Sequence, residues 1–228
     1  MRAPLTLLLA LSVAGCSGGS RPAAVVESAE VAPVARPMPR PPASASPNLT
    51  LPARLADGSY ATPNRNLSEA ATIWHVRSAL NVAVLTCSQG TVLAGEYNQL
   101  LRVHRAPLKK AHADLSAEAR GTDLDAAMTR VYNYFSQPPA QRDFCPVARA
   151  LLAEAVVTPP SDLAAFAQAA LPKLDAPFTA FYSAYESYRA DLALWRAGEA
   201  PPQIAYNDRE FLSDDTVTGR ESVRIATR

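Results

Sequence analysis

From residue 67 to residue 197 the apolar side chains recur at spacings of three and four, the rhythm of an α-helix. A face with that period is buried by packing helix against helix. The chain is therefore expected to be all-α. Its connections are short and marked by Pro or Gly, which favours antiparallel neighbours and a bundle of about four to six helices.

Five stretches carry the pattern. The first runs from about 67 to 87, with Asn66 and Glu69 in a capping-box arrangement. Ile73, Val76, Leu80, Val84 and Cys87 form one stripe, and Trp74, Ala79, Val82, Ala83 and Leu85 make its other faces apolar too. A helix that is apolar nearly all round belongs at the centre. The second, about 92–119, contains Pro107, which removes one backbone bond and predicts a kink or break near 103–106. The third, about 123–136, starts at Thr122 and stops at Pro138-Pro139; the fourth, about 144–157, takes Asp143 as N-cap, with Pro146 in its first turn. The last, about 161–197, is interrupted by Pro172 and Pro177 and predicts two helices meeting near 172–176, closed by Gly198. In its aromatic run Phe178 to Trp195, Tyr182 falls off the main stripe and is expected to be exposed.

The flanks read differently. Half of the 20 prolines lie before residue 64. Residues 17–52, rich in Pro, Ala and Ser and without an aromatic, cannot bury enough apolar area to offset their ordering entropy. As extended polyproline-type chain they could reach on the order of 100 Å. Residues 53–66 carry turn signals at Asp57-Gly58 and Thr62-Pro63-Asn64 and are expected to be ordered but not helical, with Tyr60 pinning them to the helices. The helical domain is thus placed at 53–198, and a polar tail at 199–228 is expected to stay disordered.

Residues 1–15 have the layout of a secretory signal: Arg2, an apolar run from Leu5 to Val13, then Ala14 and Gly15. The run is too short for a stable transmembrane helix. With Cys16 the segment ends Leu11-Ser12-Val13-Ala14-Gly15-Cys16, which resembles the lipobox of bacterial lipoproteins. The resemblance covers only residues 1–16. It implies that Cys16 takes a lipid, becomes the first residue after cleavage and anchors residues 16–52 as a linker facing the periplasm. Ser17, where an Asp often retains such proteins at the inner membrane, implies the outer one. Two cysteines then remain, Cys87 and Cys145. An even pair in an oxidising compartment suggests a disulfide; two buried free thiols are the alternative.

Charge argues against nucleic acid as a partner. Lys plus Arg number 22 and Asp plus Glu 21, and loss of Arg2 with the signal leaves 21 of each. A balanced chain has no broad field to draw a polyanion. Motifs of nucleotide sites and metal sites are missing: no GxGxxG, Walker loop or HExxH is present. No catalytic residue, metal ligand or cofactor is assigned.

One polar group on the apolar first helix stands out. His75, Arg77 and Asn81 need partners if that helix is central, because an unpaired buried polar group costs a few kcal/mol. Together with His104 they form the candidate polar pocket, either a small-ligand site or an internal network that fixes helix register. The leading expectation is a non-catalytic envelope protein that binds another protein or a cell-wall component. A periplasmic small-ligand-binding bundle is the alternative.

Overall fold

A computed structural model describes residues 36–88 and 90–201. The signal segment, Cys16, the linker up to residue 35 and the tail from residue 202 lie outside the described residues. Among the described residues the fold is all-α, with six α-helices and no strand. None of these helices is long and apolar enough to cross a membrane.

Helix α1 (Glu69–Thr86) is enclosed by the others: it packs against α2 (Gly90–Val103), α3 (Arg105–Glu118), α4 (Leu124–Phe135), α5 (Gln141–Val157) and α6 (Leu163–Ala197). Its buried residues, including Ile73, Val76, Ala79, Leu80, Val82 and Ala83, cover most of its circumference, and one strip from Trp74 through Arg77 and Asn81 to Leu85 is half-buried or exposed. Small side chains let neighbours approach closely, and a surface apolar over most of its circumference requires neighbours on several sides. Large aromatic side chains fill the space between α4, α5 and α6. There Phe135, Phe144 and Phe178 are fully buried and their ring centroids lie 5.3 to 5.9 Å apart, with Tyr134 at 4.7 Å from Phe178. Offset and edge-on contacts of this kind add to the burial energy.

The chain breaks where Pro107 requires it. His104 leaves helical geometry at φ −100°, ψ 22° and separates α2 from α3. The other starts differ from expectation by a few residues. Ser68, not Asn66, caps α1: its hydroxyl oxygen accepts from Ala71 N–H at 3.0 Å and its O–H donates to Glu118 at 2.7 Å. Asn66 instead turns the chain at φ 52°, a conformation asparagine tolerates better than most residues. Asp123, not Thr122, caps α4 by accepting from Ala126 N–H at 2.8 Å. Thr122 closes the end of α3 by donating to Ala119 O. Asp143 lies inside the first turn of α5, because a 3-10 turn at Pro138–Ala140 runs straight into that helix.

The last helix corrects the expectation of a bend. α6 continues unbroken through Pro172 and Pro177. Pro172 and the two residues whose carbonyls the prolines free, Gln168 and Lys173, are exposed, so water can take the lost bonds. Leu171, Leu174 and Phe178 on the opposite side are buried and hold the helix in line. Gly198 ends it in the left-handed region at φ 73°, and the Gly198 and Glu199 N–H groups return to Trp195 O and Leu194 O. Tyr182 is 1% exposed, contrary to expectation, because Tyr60 covers it edge-on at 5.3 Å.

That cover belongs to the second correction. Residues 36–52, read from composition as spacer, are laid against α6 and continue into the non-helical strip 53–66. Ala45, Leu49 and Leu51 pack on the core. Beyond them Arg54 and Tyr60 form one antiparallel bridge around the Asp57-Gly58 turn, with Gly58 at φ 81°. Composition missed this strap because its few apolar residues are held by hydrogen bonds from the helix, which composition does not report.

Cys87 and Cys145 form a disulfide that ties the end of α1 to α5 across a separation of 58 residues. Closing a loop of that length removes denatured-state entropy worth about 4 kcal/mol in the chain-entropy model. The double variant Cys87→Ala, Cys145→Ala is expected to lose stability of that order in urea unfolding, with a rise in midpoint on oxidation seen only in the unaltered chain. Equal midpoints for oxidised and reduced unaltered protein would remove the linkage.

Candidate functional site

The polar groups that α1 carries into the core do not share one cavity. His75 is buried, and its Nδ1 lies 2.9 Å from Asn64 Oδ1. Asn64 is held in turn, its Nδ2 donating to Asp175 Oδ1 on α6 at 2.6 Å. The same oxygen accepts from the Tyr134 hydroxyl of α4 at 2.7 Å. Four elements thus meet in one hydrogen-bonded chain: the strip 61–66, α1, α4 and α6.

The protonation of this chain follows from its ends. A carboxylate only accepts, so Asn64 must turn its amide N–H₂ to Asp175 and its carbonyl to His75. His75 then carries its proton on Nδ1, and Nε2 keeps its lone pair. Burial pushes the His75 pKa down to about 4, so the ring is neutral at ordinary pH. The Tyr134 hydroxyl is pushed up, first by burial and then by Asp175, and stays protonated. Nearby, Tyr182 donates to Gln137 Oε1 at 2.9 Å, and burial raises its pKa to about 12.

Three clefts border the network. One of about 280 Å³ is lined by Asn64, Thr72 and Asp175. Another of about 680 Å³ lies between Thr62 and Pro63 on the strip and Arg130, Tyr134 and Tyr182 on the helices. The third, of about 350 Å³, is lined by Pro63, His75, Leu115, Met128 and Arg130. The strip 61–66 contributes to all three. A neutral imidazole beside the third cleft can accept a hydrogen bond but is a weak base near neutral pH.

The remaining sequence candidates lie elsewhere. Arg77 donates from Nη1 to the Tyr132 hydroxyl at 2.9 Å and stands over the rings of Trp74 at 5.0 Å and Tyr97 at 5.8 Å. Cation–π contact and one neutral hydrogen bond hold its charge. Asn81 is half-buried one turn further along α1. His104 is fully buried at the α2–α3 break and donates from Nε2 to Ala155 O on α5 at 2.7 Å. Its Nδ1, with Ser78 Oγ, Glu96 Oε2 and Tyr97 Oη, is buried without a partner among the described residues. His75, Arg77 and His104 therefore have three separate sets of partners, and the candidate pocket does not form one hydrogen-bonded group.

Sequence reasoning placed His75 in a polar environment but missed Asn64, Asp175 and Tyr134. The Pro63-Asn64 turn signal was visible; its partner 111 residues away was not. Compared with protein-family profiles, with curated proteins and with solved structures, the chain matches none.

Folding through His75 should be linked to pH. Its folded pKa lies below the unfolded value of 6.5, so the unfolded chain binds the extra proton and stability falls as pH drops from 6.5 towards 4. Between pH 7 and pH 5 this single group should remove about 2 kcal/mol. Urea unfolding of His75→Gln should lack that part of the slope; the same slope in both proteins would refute the assignment.

Proposed function

We propose that the chain is a lipid-anchored protein of the bacterial cell envelope, held through Cys16 and displaying its helical body outside the cytoplasm. The single observation that carries this reading is the signal-like segment ending Leu11-Ser12-Val13-Ala14-Gly15-Cys16. Several acyl chains at one residue anchor firmly, since each buried CH₂ contributes about 0.8 kcal/mol. The Cys87–Cys145 disulfide supports the reading from a second direction, because cystines persist where the surroundings are oxidising. Ser17 favours the outer membrane over the inner.

In this reading the body is a non-catalytic interaction module whose partner is an envelope protein or a cell-wall component. Its interior argues for binding by surface. Two polar side chains of α1 are taken up by partners inside the fold: His75 by Asn64 and Arg77 by Tyr132.

Two measurements test the proposal. The variant Cys16→Ser should move from the membrane fraction to the soluble fraction, and mass spectrometry of the unaltered protein should find an acylated N-terminal cysteine. Cytosolic protein with an unmodified first residue Met1 would overturn the anchor. Crosslinking in intact cells, followed by pull-down, should recover an envelope protein or glycan strand. Recovery of neither above background would remove the interaction role while leaving the anchor standing.

A further inference from the structure

Along the C-terminal half of α6, three side chains donate to main-chain carbonyls of one incoming segment. Trp195 Nε1 donates to Arg36 O at 2.9 Å, the Tyr185 hydroxyl to Ser46 O at 2.6 Å, and Arg189 Nη2 to Leu49 O. The Tyr185 oxygen also accepts from Leu49 N–H at 3.0 Å. Arg189 stands over the Tyr185 ring at 4.9 Å, which fixes its fork. The segment reads Arg36-Pro37-Met38-Pro39-Arg40-Pro41-Pro42-Ala43-Ser44-Ala45-Ser46-Pro47-Asn48-Leu49.

Prolines have no N–H and hold φ near −65°, so a run this dense in proline cannot sustain an α-helix or a regular ladder. Apart from the Pro42 and Ser46 carbonyls, which also accept from Ala45 and Leu49 N–H, its carbonyls remain open to donors from outside. Pro41 at φ −57°, ψ 141° and Ala45 at φ −64°, ψ 161° lie in or beside the polyproline-II region, on either side of a 3-10 turn at Pro42–Ser44 where Ala43 and Ser44 take φ 49° and 54°. Indole and phenol donors set among aromatic rings are the general means by which proline-rich extended chain is recognised. All four bonds read backbone and none reads a side chain of the segment. Nothing in them requires the segment to belong to the same molecule.

The segment is also lightly held. Met38 is 58% exposed, Pro37 and Arg40 are exposed, and burial rests on partial contacts of Ala45, Leu49 and Leu51. Beside it an open cleft of about 570 Å³ lies between Pro42 and Phe181 and reaches Pro138. Few buried contacts and mostly side-chain-to-backbone bonds are the marks of a part that opens at low free-energy cost.

We propose that this face of α6 is a docking site for non-helical proline-rich peptide, and that residues 36–52 occupy it as an intramolecular ligand that a proline-rich peptide supplied in trans replaces. The site does not depend on the lipid anchor. A segment joined by a short connection competes at an effective concentration in the millimolar range, so the site is masked in the unaltered chain.

The test uses the full chain with its disulfide formed, and a labelled synthetic peptide of residues 36–52. A variant with Pro39→Gly, Pro41→Gly, Pro42→Gly and Leu49→Ser weakens the internal ligand without touching α6. By fluorescence anisotropy it should bind the peptide at least about tenfold more tightly than the unaltered chain, by release of the internal competitor. Adding Trp195→Phe and Arg189→Met should reverse that gain. A peptide with glycine in place of every proline should bind at least about tenfold more weakly, since it loses preorganisation. Absence of saturable binding to a variant that still melts cooperatively overturns the proposal, as does equal binding of the glycine peptide. In the unaltered chain, unlabelled peptide at millimolar concentration should speed deuterium uptake of residues 45–52 severalfold. Unchanged uptake there would overturn it without recourse to any variant.

Discussion

A helix apolar over most of its circumference cannot be satisfied by one neighbour; it requires several. α1 imposes that condition on this chain, and the other five helices each meet it with part of their surface. The disulfide fixes one end of the enclosure, joining Cys87 at the close of α1 to Cys145 on α5. The aromatic group around Phe178 fills the space that small residues on α1 leave between α4, α5 and α6. Burial of this extent also exposes any polar residue on α1 to the cost of desolvation.

The way those polar residues are paired explains the role of the strap. His75 has no helical neighbour among its hydrogen-bond partners; Asn64 of the strip supplies the bond and is itself held by Asp175 of α6. Tyr182 is dry because Tyr60 lies on it, and the Tyr60 hydroxyl donates to Glu186 at 2.9 Å. Arg54 bonds the same Glu186 carboxylate at 2.8 Å, an exposed pair that adds little stability by itself. Residues 36–66 therefore complete the core along one side of α6, at the same time as their first half stays lightly held. That division suits a body with a stable centre and a surface segment open to exchange.

The helices were legible from spacing because the signal is local. The apolar stripes placed five stretches, Pro107 placed the break at His104, and Gly198 placed the final stop. Caps were misread by one or two residues where several candidates stood together, as with Asn66 and Ser68 or Thr122 and Asp123. The choice between them rests on backbone geometry and on a distant partner, as Glu118 is for Ser68. Pro172 and Pro177 were misread for a different reason. A proline breaks a helix only if its freed carbonyl cannot be hydrated and no packing holds the line, and both conditions are set by the fold.

Read alone, the sequence determined the all-α class and the central place of α1, and it suggested pairing Cys87 with Cys145 while leaving two free thiols as the alternative. These follow from periodicity and counting, which need no knowledge of what lies across the core. Only the tertiary structure decided that residues 36–52 lie on α6, that Tyr182 is buried, and that His75, Arg77 and His104 go to three different sets of partners. Those outcomes depend on bonds between residues far apart in the chain, many of them to backbone carbonyls. Every residue has a carbonyl, so its use as a partner leaves no mark in the sequence.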